Sequence, residues 1–327
     1  MKQTMKAVIC PVYGPPEVLR IAEVEKPEPK EDEILVRVHA SSVTVADVRV
    51  RGFNIPVSFR IPARFILGFR RPKRPVLGVE LSGEVAAVGS NVKRFKTGNH
   101  IFAATPMTNF GAYAEYICIP ENCQVAMKPE RLSFAEAAVI PIGAVTALYY
   151  LRKADLRPGK SILIYGASGS VGTYAVQLAK HFGAHVTAVC SGTNAELVKS
   201  LGADRVIDYT VKDFAEQLDK YDAVLVAIDK ISFSLCSRVM NDDGIYLNVT
   251  APVPSLEMIR TKLTTGKRIV VGENVPETPA LITELKALFD SETIRPVIDL
   301  TFPLEQIVEA HRYVDTGRKK GNVSIII

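Results

Sequence analysis

The chain has no apolar run long enough to cross a lipid bilayer. Its longest uncharged apolar stretch, residues 137–151, contains Pro141 and Gly143, whereas a spanning helix needs about 20 apolar residues. The N-terminus has no long apolar region either, so we expect no signal peptide. Five scattered cysteines without a Cys-x-x-Cys motif indicate reduced thiols and a cytoplasmic protein without membrane insertion.

Acidic residues are absent from one long segment, residues 48–79. That segment carries eight basic residues, and because the net charge of the chain is +5, the remaining residues carry −3. The basicity is therefore local, and we expect no nucleic-acid partner. The segment also contains four phenylalanines. Three interpretations stay open: a lid over a substrate site, a surface insertion, or a patch for an anionic partner or membrane surface.

A glycine-rich turn stands between a predicted strand, residues 161–165, and a predicted helix. Gly166, Gly169 and Gly172 recur every three residues, and the last two match the dinucleotide fingerprint, in which Ala167 replaces the first glycine. Such a turn brings backbone N–H groups and a helix N-terminus to a pyrophosphate. A tight turn in another kind of α/β protein is the alternative.

Further strands alternate with helices after the glycine turn. They are predicted at residues 185–189, 205–207, 222–228, 244–249 and 268–271. This alternation predicts an α/β fold with a doubly wound parallel sheet, a Rossmann domain, over residues 126–272.

Residues 1–125 instead predict short strands separated by turns that contain proline and glycine, as in a small β-barrel. A capping box at Ser133 and Glu136 opens a helix. We predict helices at residues 278–289 and 303–316 and a final strand at 322–327. This tail, residues 273–327, is predicted to rejoin the first domain, which would then be discontinuous.

The sequence resembles the medium-chain dehydrogenase/reductase superfamily, and within it the zinc-free quinone oxidoreductases of the zeta-crystallin type. The resemblance extends nearly end to end. It is carried by residues 5–7, 13–19 (Tyr-Gly-Pro-Pro-Glu-Val-Leu), 77–83 (Leu-Gly-Val-Glu-Leu-Ser-Gly), 111–116, 166–172 and 201–204. It implies a GroES-like barrel beside the Rossmann domain, with the active site in the cleft between them.

Zinc ligands are missing where the zinc-dependent members of that superfamily have them. Thr44 and Val79 stand at the places of a cysteine and a histidine, and neither side chain binds zinc as thiolate and imidazole do. In zinc-free members an asparagine usually stands where Thr44 stands and contacts the nicotinamide side. The resemblance therefore implies Thr44 and Asp47 as the catalytic residues, although Asp47 also suits a structural cap.

The cofactor is predicted to be NADP. Residues 190–194, at the end of the second strand, contain no acid that would repel a 2′-phosphate, and no nearby Lys or Arg supplies a countercharge. The resemblance implies a cofactor site formed by Thr146, Gly166, Ala167, Ser168, Gly169, Ser170, Val171, Gly172, Ser191, Asn194, Tyr209, Ile228, Val249 and Asn322.

The resulting expectation is a zinc-independent, NADPH-dependent oxidoreductase that transfers hydride to a quinone or an α,β-unsaturated carbonyl. A non-enzymatic NADP-binding sensor or scaffold, and a reductase of enoyl thioesters, stay as alternatives. We also expect a homodimer joined along residues 268–271, because an exposed β-branched edge is a template for pairing.

Overall fold

The computed structural model describes residues 3–56, 59–105, 109–211 and 214–327. The strands in these ranges are β1 (Thr4–Ile9), β2 (Arg20–Glu25), β3 (Glu33–Ser42), β4 (Glu80–Val88), β5 (His100–Ala104), β6 (Tyr116–Pro120), β7 (Val125–Met127), β8 (Ser161–Tyr165), β9 (His185–Cys190), β10 (Arg205–Asp208), β11 (Tyr221–Val226), β12 (Met240–Asn248), β13 (Arg268–Val271), β14 (Ile298–Pro303) and β15 (Asn322–Ile326).

The helices are α1 (Val45–Gly52), α2 (Arg60–Leu67), α3 (Phe134–Ala138), α4 (Pro141–Leu151), α5 (Ser170–His181), α6 (Ala195–Ser200), α7 (Phe233–Arg238), α8 (Leu256–Thr264), α9 (Pro279–Asp290) and α10 (Ile307–Asp315). Among the residues that the structure describes, no helix combines the length and the apolar character that a membrane crossing requires.

Two compact units make up the chain. The first comprises Met1–Ile142, Glu277–Ser291 and Pro296–Ile327, and the second comprises Gly143–Pro276 and Glu292–Arg295. The first unit thus extends beyond residue 125, where we had placed the boundary, because α3 packs on β3 and β4. The segment Glu292–Arg295 belongs to the second unit since the Gln177 amide donates to the Arg295 carbonyl (3.0 Å) and accepts from its N–H (2.8 Å).

In the first unit, the larger sheet has the order β14-β15-β3-β4-β5-β7, and β6 also pairs with β3. β3 is its centre, antiparallel to β4, β6 and β15. The pairing of β15 with β3 brings the end of the chain into this unit. Apolar side chains such as Ile34, Leu81 and Ile101 are buried between the strands and form one of the unit's cores.

In the second unit, six parallel strands have the order β10-β9-β8-β11-β12-β13. The chain runs outward from β8 in one direction and then, from β11, in the other. This is a doubly wound sheet whose topological switch point lies between β8 and β11. The predicted α/β fold class with a Rossmann sheet is confirmed.

The sequence analysis missed several elements. Residues 45–67, within the stretch predicted to be mostly β, contain α1 and α2. The α-helix predicted at 303–316 begins only at Ile307, because Pro303 is the last residue of β14, which pairs in parallel with β15, and Leu304–Gln306 form a short 3-10 helix. Val57 and Ser58, in the middle of the basic segment, lie outside the described residues.

Candidate cofactor and active site

The glycine turn of the second unit is shaped by contacts that leave no space for side chains. Gly166 has φ +83°, and a Cβ there would lie 2.7 Å from Cγ2 of Ile228, which follows β11. A Cβ on Gly172 would lie 2.2 Å from the Gly166 carbonyl oxygen. At Gly169 the nearest atom to a Cβ would be 3.5 Å away. Two of the glycines therefore permit close packing, while Gly169 borders open space.

The same turn lies at the switch point of the sheet, since it follows β8 and contacts the residue after β11. The N–H groups of Gly166 and Ala167 donate to the Val189 carbonyl of β9 at 3.0 and 3.1 Å. Gly169 is the N-cap of α5, and no side chain caps this helix. The N-terminus of the 12-residue helix thus provides the backbone donors and positive dipole end that bind a pyrophosphate. The turn fits a dinucleotide.

Thr146 lies beside this turn through the packing of α4 on α5. A Cβ on Gly143 would be 2.6 Å from Oγ of Ser170 and 3.0 Å from the Tyr174 ring, so the two helices approach closely at Gly143. Thr146, half-buried, is one turn further along α4 on the same side. Thr146 therefore lies on the side of α4 that faces α5, and its role in cofactor binding stays a prediction.

The residues predicted around the adenosine end of the cofactor meet at the carboxyl end of β9. Asn194 donates from Nδ2 to Oγ of Ser168 at 3.0 Å, while its buried Oδ1 has no protein partner. Tyr209 follows β10, and its N–H donates to the Cys190 carbonyl at 3.1 Å. Ser191 directly follows Cys190. An unpartnered buried oxygen next to polar hydroxyls fits a site for a ligand with hydroxyl groups.

A carboxylate also lies at this end of β9, and our expectation that none does is wrong. Asp208, the last residue of β10, is the register partner of Cys190. Its carboxylate accepts from the N–H and the hydroxyl of Thr210 at 2.8 and 2.7 Å. These bonds, together with one from the N–H of Gly192, lower the pKa of Asp208. The charge comes from the neighbouring strand, which the search along residues 190–194 did not examine.

The two remaining predicted cofactor residues differ in their surroundings. Val249 follows β12, and its N–H donates to the Val226 carbonyl at 3.2 Å, so it lies at the carboxyl edge of the parallel sheet. Asn322 belongs to the first unit, where it is buried and its Nδ2 donates to the Val297 carbonyl at 3.1 Å. That bond joins the start of β15 to the segment before β14.

In the first unit, Thr44 and Asp47 form a capping box at the start of α1. The Thr44 hydroxyl donates to Oδ2 of Asp47 at 2.6 Å and accepts from the Asp47 N–H at 3.2 Å. The N–H groups of Thr44 and Gly78 donate to Oδ2 and Oδ1 of the same carboxylate at 2.9 and 3.1 Å. Asp47 is fully buried, whereas Thr44 is partly exposed. Only Thr44 can contact a bound molecule.

Glu80, which the sequence analysis did not select, is a second buried carboxylate. Its Oε1 accepts from the Ser42 hydroxyl and its Oε2 from the Ile142 N–H, the latter at 2.7 Å. Burial raises the pKa of Glu80 to about 7 and that of Asp47 to about 6, against the opposing effect of these hydrogen bonds. The negative charge of Asp47 also raises the pKa of Glu80. Two acids with raised pKa values near the predicted catalytic residue mark this region as a functional candidate.

A buried histidine lies in the same unit. His311 of α10 is 0% exposed, its Nδ1 lies 3.3 Å from Nη1 of Arg51, and its ring meets that of Tyr113 edge to face. Burial lowers the pKa of His311 to about 3, so it is neutral near pH 7. Arg51 also bonds Asp315 at 2.7 Å, which joins α1 to α10. The group is a structural link between α1 and α10.

Comparison with known proteins now identifies the family. Residues 30–130 match the model of the alcohol dehydrogenase GroES-like domain, and residues 201–325 match that of the zinc-binding dehydrogenases. These matches, with the doubly wound sheet and its glycine turn, define a nicotinamide-dependent oxidoreductase. The predicted GroES-like domain is also confirmed.

The chain is similar to curated relatives over almost its whole length. It is 35% identical to a 2-methylene-furan-3-one reductase of Solanum lycopersicum over 98% of this chain and 79% of the relative. It is 33% identical to a chloroplastic quinone-oxidoreductase homolog of Spinacia oleracea over 95% of both. A solved quinone oxidoreductase from Coxiella burnetii is 28% identical, with a TM-score of 0.85 over 99% of this chain and 100% of that one. The chain belongs to the medium-chain dehydrogenase/reductase superfamily, and within it to the quinone oxidoreductase type.

One of the matching family models implies zinc, and the donor set of this chain does not fit it. Thr44 is engaged with Asp47, and Val79 is a fully buried aliphatic side chain. Across the described ranges, no three His, Cys, Asp or Glu side chains lie together in a way that could hold a metal ion. We therefore derive no step through a metal.

Proposed function

We propose that this protein transfers hydride from NADPH to a quinone or an α,β-unsaturated carbonyl compound without zinc. One observation carries the proposal: a glycine turn fitted to a dinucleotide occurs in a chain whose zinc-ligand positions hold Thr44 and Val79. The relatives named as quinone oxidoreductase and as NADPH-dependent alkenal/one oxidoreductase support the substrate class. Such acceptors delocalise the negative charge that develops on hydride addition, so no Lewis acid is needed.

The proposed reaction consumes one NADPH and one proton for each acceptor molecule. Bound NADPH supplies a hydride, and the acceptor takes that hydride and a proton to become a hydroquinone or a saturated carbonyl compound. Within the protein, α5 and its glycine turn bind the pyrophosphate, and Thr146 contributes a hydroxyl on the neighbouring helix. We assign Thr44 to the contact with the nicotinamide side. Asp47 acts through Thr44 as a positioning residue, because its carboxylate is buried and saturated with hydrogen bonds.

The preference for NADPH over NADH is part of the proposal. The hydroxyls of Ser191 and Tyr209 are the proposed donors for a 2′-phosphate at the end of β9, and Asn194, whose Nδ2 donates to Ser168, borders the same place. The ionised carboxylate of Asp208, at the end of the neighbouring strand β10, lies beside this loop and opposes a second negative charge. We therefore propose a modest preference for NADPH rather than an exclusive one.

Two further properties complete the proposal. β13 is the terminal strand of its sheet, and its Ile269, Val270 and Val271 are half-buried in the single chain. We propose a homodimer paired along this edge; light scattering that finds only monomers would contradict it. All five cysteines, which lie in the described part of the chain, are free thiols, and this supports a cytoplasmic protein.

The test is NADPH oxidation by the purified protein with a panel of acceptors. We expect turnover with benzoquinones and alkyl vinyl ketones, with the reduced product formed in equal amount to the NADP⁺. We expect no turnover of saturated alcohols with NADP⁺, no loss of activity with chelators, and no stoichiometric zinc by elemental analysis. NADPH binding without turnover of any acceptor would favour the non-enzymatic sensor, and turnover of enoyl thioesters alone would favour a reductase of enoyl thioesters.

A further inference from the structure

The segment around α2, residues 59–74, has large apolar side chains in water. The exposed fractions are 74% for Ile61, 62% for Phe65, 57% for Ile66 and 59% for Phe69, while Phe59 is 38% exposed. Phe65 and Phe69 meet edge to face at 5.1 Å, so the exposed side chains form one apolar face. Most of the protein's large apolar residues are buried, and a contiguous exposed apolar face marks an interaction surface.

The opposite side of the same segment is attached to the first unit. Ala63 is buried, and Leu67 packs on the apolar core. The Arg64 guanidinium stacks 3.6 Å from the centre of the Phe53 ring, and the Tyr13 hydroxyl donates to the Gly68 carbonyl at 2.9 Å. The segment is therefore held in place, and its apolar face is directed outward by the fold.

Exposed basic residues flank this apolar face along the chain. Within the segment, the exposed basic residues are Arg60, Arg70, Arg71, Lys73 and Arg74. No acidic residue occurs between positions 48 and 79, so these charges have no neutralising neighbour in the segment. An apolar face flanked by unopposed cations matches the two layers of a bilayer surface, with anionic headgroups above an acyl region.

The charge pattern disfavours other occupants. A second copy of the chain that met this face across a two-fold axis would bring the same cations together, and like charges repel. A nucleic acid would engage the cations but would leave Ile61, Phe65 and Ile66 without an apolar partner. We propose that residues 59–74 dock the protein on the surface of an anionic lipid bilayer, with the apolar side chains inserted between headgroups. This proposal stands apart from the proposed hydride transfer.

Vesicle co-sedimentation tests the proposal with the full-length protein. We expect binding to phosphatidylcholine vesicles that contain 30 mol% phosphatidylserine, at least about tenfold stronger than to phosphatidylcholine alone, and weaker as salt rises. The variant Ile61→Ser/Phe65→Ser and the variant Arg70→Ser/Arg71→Ser should each lower this binding about tenfold or more. These side chains are exposed, so thermal unfolding should be little changed.

Matched control variants distinguish binding through this surface from non-specific adsorption to the vesicles. Leu256→Ser/Leu263→Ser removes two leucines of α8 that are 85% and 80% exposed, and Lys93→Ser/Lys96→Ser removes two exposed cations elsewhere. Both control variants should bind vesicles like the wild type. Equal loss in the controls would overturn the proposal.

Three other outcomes would also overturn it. The first is a wild-type protein that binds neither type of vesicle. The second is binding to double-stranded DNA as tight as to the anionic vesicles and unaffected by Ile61→Ser/Phe65→Ser, which would indicate a purely electrostatic patch. The third is an Ile61→Ser/Phe65→Ser variant that binds vesicles like the wild type but has a raised KM for bulky quinones in lipid-free buffer. That result would identify the segment as a lid. A lipid-binding defect with unchanged NADPH oxidation in lipid-free buffer supports docking.

Discussion

The glycine turn of the second unit and the carboxylate cluster of the first unit have opposite hydrogen-bonding states. At the turn, helix α5 starts without a side-chain cap, and Gly169 borders open space. In the cluster, Asp47 and Glu80 are buried and each accepts bonds from neighbouring N–H and hydroxyl groups. The turn can thus receive an external anion, whereas the carboxylates of the cluster already accept hydrogen bonds from donors within the protein.

This difference assigns different roles to the two regions. A helix N-terminus without a side-chain cap can receive an anionic ligand at its backbone N–H groups. A buried carboxylate must find its donors within the fold, because an unsatisfied charge in the interior is costly. We therefore propose that the turn binds the cofactor and that the cluster positions Thr44 and stabilises the packing around α1. Four experiments test this contrast.

The largest effect is expected at Gly172. Gly172→Ala places a Cβ 2.2 Å from the Gly166 carbonyl and 2.7 Å from the Cα of Ala167, and neither is the end of a flexible side chain. We expect the free energy of unfolding to fall by about 3 kcal/mol or more, measured by denaturant unfolding.

Gly169→Ala is the matched control, because its Cβ has space within the protein and its φ of −85° suits any residue. It should leave the unfolding free energy within about 1 kcal/mol of wild type but weaken NADPH binding, since the methyl group occupies the ligand side. If both variants lose stability equally, the turn is tightly packed throughout and our distinction is wrong.

The second effect is the pH dependence that Glu80 confers. The pKa of Glu80 is about 7 in the folded protein and about 4.3 in an unfolded chain, so the folded state binds the proton more tightly. This stabilisation is fully present below about pH 4 and is lost as the pH rises through 7, a total of roughly 3 kcal/mol.

Glu80→Gln removes this titration. From pH 4.5 to pH 7.5 the wild type should lose stability relative to the variant, because only the wild type loses the stabilisation that protonated Glu80 provides. Urea unfolding at several pH values measures the difference in unfolding free energy. The Glu84→Gln variant, at a half-buried position of the same strand, is the matched control and should give a stability curve parallel to that of the wild type. Parallel stability curves for Glu80→Gln and wild type would show that Glu80 does not titrate in this range.

The third effect is on cofactor choice. Asp208→Asn removes a negative charge beside the loop at the end of β9 but keeps an oxygen that can accept from the Thr210 N–H. We expect NADPH to bind roughly tenfold more tightly and NADH to change much less, because only NADPH carries the 2′-phosphate. Fluorescence titration of both cofactors measures this.

Asp243→Asn is the control, since Asp243 is exposed near the opposite, amino-terminal part of strand β12. Asp243→Asn also removes one negative charge, and it should change neither the NADPH affinity nor the NADH affinity. An equal gain for NADPH and NADH in Asp208→Asn would mean that the carboxylate does not face the 2′ position.

The smallest effect is expected at Thr44. Thr44→Ala removes the N-cap of α1 and one donor to Asp47, and should lower the free energy of unfolding by about 1 kcal/mol. Thr44→Ser keeps the hydroxyl and should retain most of the stability. Thermal unfolding of both variants tests this; a Thr44→Ala protein as stable as the wild type would remove the capping role that we assign to Thr44.

Local sequence determined much of the second unit. The strand, glycine turn and helix at residues 161–181 are contiguous, and their apolar periodicity and glycine spacing suffice to predict them. The parallel sheet followed from the alternation of strands and helices, because such connections are right-handed and place helices on the faces. The apolar strand β11, for example, could be predicted without knowledge of its neighbours β8 and β12.

Tertiary structure alone decided where charges and polar groups meet. Asp208 reaches the cofactor loop because β10 pairs with β9, and Glu80 lies near Asp47 because the first unit folds residues 44–47 against residues 78–80. Their pKa values depend on burial and on donors far away in the sequence, which periodicity does not report. The outward direction of Phe65 and Ile66 likewise follows from the anchoring of Ala63 and Leu67. A sequence specifies local geometry through short-range sterics and hydrogen bonds, whereas electrostatic environment is set by which distant residues exclude water from the same place.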